Sequence, residues 1–512
     1  MCTFHNVMHC LMCPGAHLSS AVTPSAQYLS PLRTPVVVII SRRSVRMWME
    51  MFLVLLQPLF LVISVEDIGE TKCYKDLGCF TNKSPYRSPT RPISEFPQSP
   101  EEINTQFLLF TKANMDDYQI LSARDLSTFK QSHFDCRKET VFIIHGYLEK
   151  GDDPWLKTVC KNILMKEDMN CVCVDWRRGA SSIYTRAINN VQVVGAEIAF
   201  FINTTMKEYN CSLTKIHMIG HSLGAHAAGE AGKRRPGIEK MTILDAAGPG
   251  FSNETDEVVV NPSVARFVVA LHTDAGTLGL GTERLIGHKD FFLNGGKHMT
   301  GCDGSQIMNV TESLGLVGVA RDFALCSHVN SYYVFIESIQ KPEGLMGYCA
   351  SDYSAFQKGD GFPCTNGSCS LMGYYTLPQN ASSCRVYYLN TGPRYDFGRY
   401  RYKVTVPTKG DSSTYGSITI GLYNSTEFHA DHEIYSGSVS LGGVYSAFID
   451  SPCPPPVIQV TFIYETTLLI PFHKPTILAD SVTVTSGIDG TEYRFCGGET
   501  SEEGTQTLKP CP

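Results

Sequence analysis

Gly220-His221-Ser222-Leu223-Gly224 is the part of this 512-residue chain whose residue types and spacing point most directly to chemistry. A serine two positions from glycine on either side, after an apolar run, is how a hydroxyl is exposed on a sharp strand-to-helix turn for attack on a carbonyl carbon. The glycines leave room in a strained turn where side chains would collide. Lys215-Ile216-His217-Met218-Ile219 reads as a short buried strand, and the Ala- and Gly-rich Leu223–Gly232 as a helix whose small face presses on a sheet. The bland alternative is an ordinary strand-helix connection with an idle serine. Strand, turn and helix in the required order favour the chemical reading.

A serine nucleophile needs a histidine to take its proton and a carboxylate to fix that histidine's tautomer. In hydrolases built on a parallel sheet these follow the serine as acid, then histidine. Asp245 ends the apolar run Met241–Leu244 with Ala246-Ala247-Gly248 behind it, while Asp274 follows the next run, Arg266–Leu271, and is a rival. Both stay open on the residues alone. Of His272, His288, His298 and His328, the last is favoured because Cys326 could anchor its loop. Donors for a developing oxyanion are expected at the backbone N–H of Leu223 and of Tyr147, the latter in the strand-end turn His145-Gly146-Tyr147.

The elements that must position these groups are strand-like runs at Thr140–Ile144, Cys171–Val174, Ile216–Ile219, Met241–Leu244 and Arg266–Leu271, separated by helical or loop stretches. Such alternation predicts an α/β domain with a largely parallel sheet. Beyond about Phe397 the pattern becomes alternating strands with turn residues, which predicts a second, all-β sandwich domain, with Gly392-Pro393 marking the joint. A net charge of -7 and no long basic run argue against nucleic acid as a partner. Nineteen cysteines beside eight sequons, at Asn82, Asn203, Asn210, Asn253, Asn309, Asn366, Asn380 and Asn424, point to a secreted, disulfide-bonded glycoprotein. The proline-broken apolar run Met51–Ser64 reads as a signal peptide core, too short to span a bilayer comfortably, so residues 47–64 are expected to be a signal peptide and 1–46 an upstream extension. The protein is then peripheral to membranes rather than transmembrane.

From about Cys73 to Cys511 the chain resembles the animal lipase family around pancreatic lipase. The resemblance is carried by Cys73-Tyr74-Lys75-Asp76-Leu77-Gly78-Cys79-Phe80, Phe142-Ile143-Ile144-His145-Gly146, Cys171-Val172-Cys173-Val174-Asp175-Trp176, Ile219–Gly232, Asp290-Phe291-Phe292-Leu293-Asn294-Gly295-Gly296 and Cys326-Ser327-His328. It implies an α/β-hydrolase domain at 65–397 and a PLAT β-sandwich at 398–512. It also implies the triad Ser222, Asp245 and His328, which breaks the tie against Asp274, with Tyr147 and Leu223 as oxyanion donors. The implied disulfides are Cys73–Cys79, Cys160–Cys171, Cys302–Cys326, Cys364–Cys369 and Cys496–Cys511. Cys349 pairs with Cys384 or stays free, and Cys136, Cys173, Cys211 and Cys453 have no assigned partner.

The same resemblance makes residues 303–325 a full-length lid over the site, a length that goes with triacylglycerol hydrolysis. Read as a helix, Ile307, Val310 and Leu314 share one side, the sequon Asn309 lies nearly opposite, and Gly315 and Gly318 offer hinges. The implied activity is hydrolysis of lipid esters at an oil-water interface, with no required cofactor. The stretch Asp274–Gly287, about four residues shorter than in pancreatic lipase, favours a phospholipase A1 or galactolipase as alternative. A non-catalytic lipid carrier is a third reading, although such relatives lack the serine. The family's calcium site aligns with Asp256, Val259, Asn261 and Val264, where two acids are lost, so a calcium site is doubtful. Partners are a lipid surface and a colipase-like protein on the PLAT domain, with Thr461 standing where pancreatic lipase has a colipase-contact lysine.

Overall fold

The protein is described by a computed structural model. The described residues are 69–512 apart from 278, 303–310, 366, 379–383, 425–428, 467–475 and 501–504, and the side chains of 311–324 and 499 are also outside the description. The expected extension and signal peptide and the start of the expected lid, with Asn309, therefore lie outside the described residues.

Eleven strands form one sheet: β1 Gln106–Phe110, β2 Gln119–Leu121, β3 Thr140–Ile144, β4 Asn170–Asp175, β5 Ile216–His221, β6 Lys240–Leu244, β7 Phe267–His272, β8 Lys289–Leu293, β9 Met346–Cys349, β10 Cys369–Leu371 and β11 Val386–Leu389. Their order in space is β10-β9-β11-β8-β7-β6-β5-β3-β4-β1-β2. The run from β4 to β11 is parallel, with antiparallel strands only toward the two edges. Helices α1 Pro154–Lys166, α2 Tyr184–Tyr209, α3 Leu223–Arg234 and α4 Thr311–Gln340 accompany it. Every residue of β3, β4 and β7 is buried, as expected of parallel strands covered on both faces. This is an α/β-hydrolase arrangement.

Register decides where the chemistry sits. Ile144 lies opposite Gly220, His221 opposite Leu244, and Leu244 opposite Leu271, so β3, β5, β6 and β7 end along one line. Ligands of such sheets bind beyond the carboxyl ends of the strands, and Gly146, Ser222, Asp245 and Asp274 all emerge there.

Nine antiparallel strands follow, namely β12 Tyr400–Gly410, β13 Thr414–Tyr423, β14 His429–Val439, β15 Val444–Ser451, β16 Gln459–Thr466, β17 Ile477–Ala479, β18 Ser481–Ser486, β19 Glu492–Thr500 and β20 Thr505–Pro510. Alternate residues such as Tyr402, Val404 and Val406, or Ile418, Ile420 and Leu422, face a core shared with Phe462 and Phe495. Period-two burial of this kind makes one face of each strand the inside of a β-sandwich, the PLAT-like fold. At the joint, Glu337 of α4 accepts the N–H groups of Phe397 and Gly398 at 3.2 and 2.8 Å, and Arg401 reaches back to the Phe356 carbonyl at 2.7 Å.

The structure contains the bonds Cys73–Cys79, Cys136–Cys211, Cys160–Cys171, Cys302–Cys326, Cys349–Cys384, Cys364–Cys369 and Cys496–Cys511. Cys173 and Cys453 are free and buried.

Candidate active site

Ser222 stands between β5 and α3 with φ 55° and ψ -120°, a conformation that L-residues avoid. Two neighbours without side chains make the turn possible. A Cβ on Gly220 would lie 2.6 Å from the Gly224 carbonyl oxygen, and one on Gly224 would run into the backbone carbonyls of Ile144 and His145 at the end of β3. The turn is then held by its own backbone: Ser222 N–H donates to Leu244 O at 3.1 Å, and Ala247 N–H donates to Ser222 O at 3.3 Å. The serine backbone is thereby fixed at the end of β5 beside the end of β6.

Asp245 leaves β6 and is fully buried. Its Oδ2 lies 2.6 Å from His328 Nδ1, and its Oδ1 accepts the backbone N–H groups of Thr273 and Asp274 at 2.9 and 3.2 Å. Both oxygens are thus committed, one to the imidazole and one to the turn after β7. His328 Nε2 has no other hydrogen-bond partner among the described residues. The ring of His221, the residue before Ser222, is 4.7 Å from that of His328. No hydrogen bond joins Ser222 Oγ to His328 among the described residues, a looseness common before substrate arrives.

His328 corrects one expectation. It was expected on a loop anchored by Cys326, but α4 runs unbroken from Thr311 to Gln340, so both residues lie inside a helix. Gly315 and Gly318, expected as hinges, lie inside it too. The physical reason is that the helix continues into an apolar stretch, with Tyr332, Val334, Phe335 and Ile339 buried against the sheet. The other histidines are occupied or remote: His272 is paired with Asp290 at 3.0 Å, His288 Nδ1 accepts the Val268 N–H at 2.9 Å, and His298 is exposed.

Asp274, the rival acid, is also in the site. Asp245, Asp274 and His328 bring donor atoms within 4.8 Å of one another, the described trio closest to a metal-binding cluster. Its Asp245 oxygens already hold an imidazole and two N–H groups, which leaves little for an ion. Burial, and then the Asp245 charge, push the Asp274 carboxyl up to about 7. The imidazole nonetheless bonds Asp245.

On the far side of the serine, a Cβ on Gly146 would lie 2.7 Å from Ser222 Cβ, so the turn after β3 passes directly against the nucleophile candidate. The backbone N–H groups of Tyr147 and Leu223 have no acceptor among the described residues. The N–H of Leu223 also opens α3, at the positive end of its dipole.

Two further groups in the site have no counterpart in the sequence reading. Glu149 Oε2 accepts the Gly146 N–H at 2.6 Å and stands 3.0 Å from His221 Nδ1. One carboxylate oxygen thus ties the Tyr147 turn to the serine turn. Burial alone would raise this acid, but His221 and the Gly146 N–H hold it well below the usual carboxylate range. His221 itself is packed among Trp155, Tyr332 and His328. The only available signal was its place inside the pentapeptide beside the serine.

Beside the Asp245 end lies a cavity of about 620 Å³ whose lining includes Gly248, Ala275, Gly281, Thr90, Glu254 and Arg284. At the other rim Leu148 and Ile183 are exposed, at 65% and 59%.

A family model described as Lipase matches residues 70–397. Pancreatic lipase-related protein 2 of Rattus norvegicus is 41% identical over 453 residues, 86% of this chain and 97% of the relative. Inactive pancreatic lipase-related protein 1 of Mus musculus is 39% identical over 464 residues, 89% of this chain and 97% of the relative. Pancreatic triacylglycerol lipase of Mus musculus is 39% identical over 463 residues, 88% of this chain and 99% of the relative.

Proposed function

Because the chain belongs to the lipase family, we propose that it is a secreted triacylglycerol lipase that works by a Ser222-His328-Asp245 mechanism at an oil-water interface. The observation that carries this reading is the 2.6 Å bond from His328 Nδ1 to Asp245 Oδ2, beside a serine held at φ 55°. With Nδ1–H donated to Asp245, Nε2 is the basic nitrogen and takes the Ser222 proton as Oγ attacks the ester carbonyl. The tetrahedral oxyanion is met by the N–H groups of Tyr147 and Leu223. Its collapse expels the alcohol, which takes the proton back from His328, and water then releases the fatty acid by the same steps in reverse order.

Lipid as substrate is supported by Leu148 and Ile183, apolar groups left in water at the rim of the site. Among the described residues no helix is long and apolar enough to cross a membrane, in keeping with peripheral attachment. Secretion is supported by the disulfides of the described residues. A colipase-like partner on the sandwich domain would gain no contact from the Thr461 side chain itself, which is buried.

A second reading, a phospholipase A1 or galactolipase, is favoured by the 620 Å³ cavity beside the triad, whose lining is partly polar through residues such as Thr90, Glu254 and Arg284. The test is fatty-acid release from emulsified triolein, phosphatidylcholine and galactolipid by the wild type and Ser222→Ala. Loss of at least about 10⁴-fold in the variant is expected. Equal activity of the two proteins refutes the mechanism, and preference for the polar lipids refutes the triacylglycerol reading.

A further inference from the structure

The segment after Asp245 is where the family resemblance implies calcium, and the residues present do not fit that ion. Calcium takes six to eight oxygen ligands, carboxylates foremost. Of the four aligned positions, Val264 has no side-chain oxygen, and the oxygens of the others already face donors of this chain. Asn261 Nδ2 donates to the carbonyls of Asp256 and Val259 at 2.9 and 3.1 Å. Asn261 Oδ1 accepts from Ser263 N–H and Oγ at 3.0 and 2.6 Å. The Asp256 carboxylate and the Glu254 carbonyl both bond the Arg284 guanidinium. Lys233 Nζ donates to the Glu257 carbonyl at 2.8 Å.

We propose that segment 254–264 is held by an internal staple, the Asn261 amide and the Arg284 guanidinium, in place of a calcium ion, and binds no calcium. The amide does what a cation would do, drawing two carbonyl oxygens together, and the guanidinium adds a fixed positive charge that repels a second one. Asn261 is 5% exposed, so these bonds form away from competing water. The staple also serves the site. Arg284 belongs to the segment in which Thr282 N–H bonds the Ala246 carbonyl at 3.0 Å, so the turn after Asp245 is clamped from both sides without metal. The inference concerns this segment's order and does not depend on Ser222 being a nucleophile.

Thermal unfolding of the full chain tests it. The wild-type midpoint is expected to be the same, within about 1 °C, in EDTA and in about 5 mM calcium. Asn261→Asp/Val264→Asp turns two donors into acceptors and supplies a second acid. It is expected to melt lower in EDTA and to rise by roughly 2–6 °C with calcium. A wild-type rise of that size, abolished by Asp256→Asn, overturns the proposal. Should the double variant fail to fold, wild-type crystals grown in calcium decide the matter. A cation between the Asp256 and Val259 carbonyls refutes the staple, and the Asn261 amide in that place supports it.

Discussion

Asp274 brings a carboxylate oxygen within 4.8 Å of Asp245, inside the group that also contains His328. Two acids this close in a buried site do not ionise together easily. The Asp274 carboxyl is pushed up to about 7, first by burial and then by the Asp245 charge, against a bond from Leu280 N–H that pulls it down. The folded protein holds this proton more tightly than the unfolded chain, where an aspartate titrates near about 3.9. Its contribution to stability is therefore full below about pH 4, falls as pH rises, and is gone above about pH 7. Asp274→Asn removes that slope and is expected to be more stable than wild type at about pH 8, by no more than about 4 kcal/mol. Urea unfolding at about pH 5 and pH 8 checks this, and identical pH dependence in the two proteins rules it out.

Glu149 gives a second expectation. Its Oε2 joins the Gly146 N–H to the His221 ring, so it positions both the Tyr147 turn and the serine turn. Glu149→Gln keeps the size but removes the charge that faces His221. On a soluble short-chain ester kcat is expected to fall about 10- to 100-fold with KM nearly unchanged, since misplacement of this order is what a lost anchor produces. Glu149→Asp should recover part of the loss. A rise in KM with kcat intact counts against the assignment.

How much of this was legible in the sequence depends on the range over which each constraint acts. The serine turn is local: Gly220 and Gly224 are needed because the chain doubles back on itself within five residues, so the pattern is written in those five. The choice between Asp245 and Asp274 is not local. Both follow adjacent parallel strands, and only the direction of the His328 ring separates them. Cys326 suggests a loop anchor for His328 in the sequence, but Tyr332, Val334, Phe335 and Ile339 carry the apolar face of a helix. Glu149 and His221 are 72 residues apart and share no pattern that sequence could show. At Asn261 the missing acid is visible in the sequence, but not the two carbonyls to which its amide donates.

Cys173 supports a third test. Its Sγ lies 3.6 Å from Cys160 Sγ, which is bonded to Cys171 two residues away on the same strand, so exchange between the two cysteines is geometrically close. Exchange needs a thiolate, and complete burial pushes the Cys173 thiol up. Iodoacetamide at about pH 8 is expected to leave Cys173 unlabelled in the native protein and to label it once urea opens the core. Native labelling, or a mapped Cys160–Cys173 bond, contradicts this.

Arg401 and Asp450 fix the joint between the two domains. Arg401 is on β12 directly opposite Asp450 on β15, with Nη1 2.7 Å from Asp450 Oδ2. Its Nη2 bonds the Phe356 carbonyl and its guanidinium lies 3.8 Å over the Phe356 ring, on the hydrolase side. Asp450 also accepts from Asn390 Nδ2 at 2.7 Å, so the acid is shared between the domains. With the Arg401 side chain only 2% exposed, Arg401→Met leaves a largely buried carboxylate without its cation. That is expected to cost about 3 kcal/mol, toward the low end for such a loss because Asn390 still donates. Arg401→Met/Asp450→Leu removes the stranded charge as well and should lie closer to wild type than Arg401→Met does. Calorimetry separates the alternatives: wild type is expected to unfold in one transition and Arg401→Met in two, as the sandwich uncouples. If the two substitutions simply add, or if Arg401→Met melts as wild type does, the pair is not what holds the domains together.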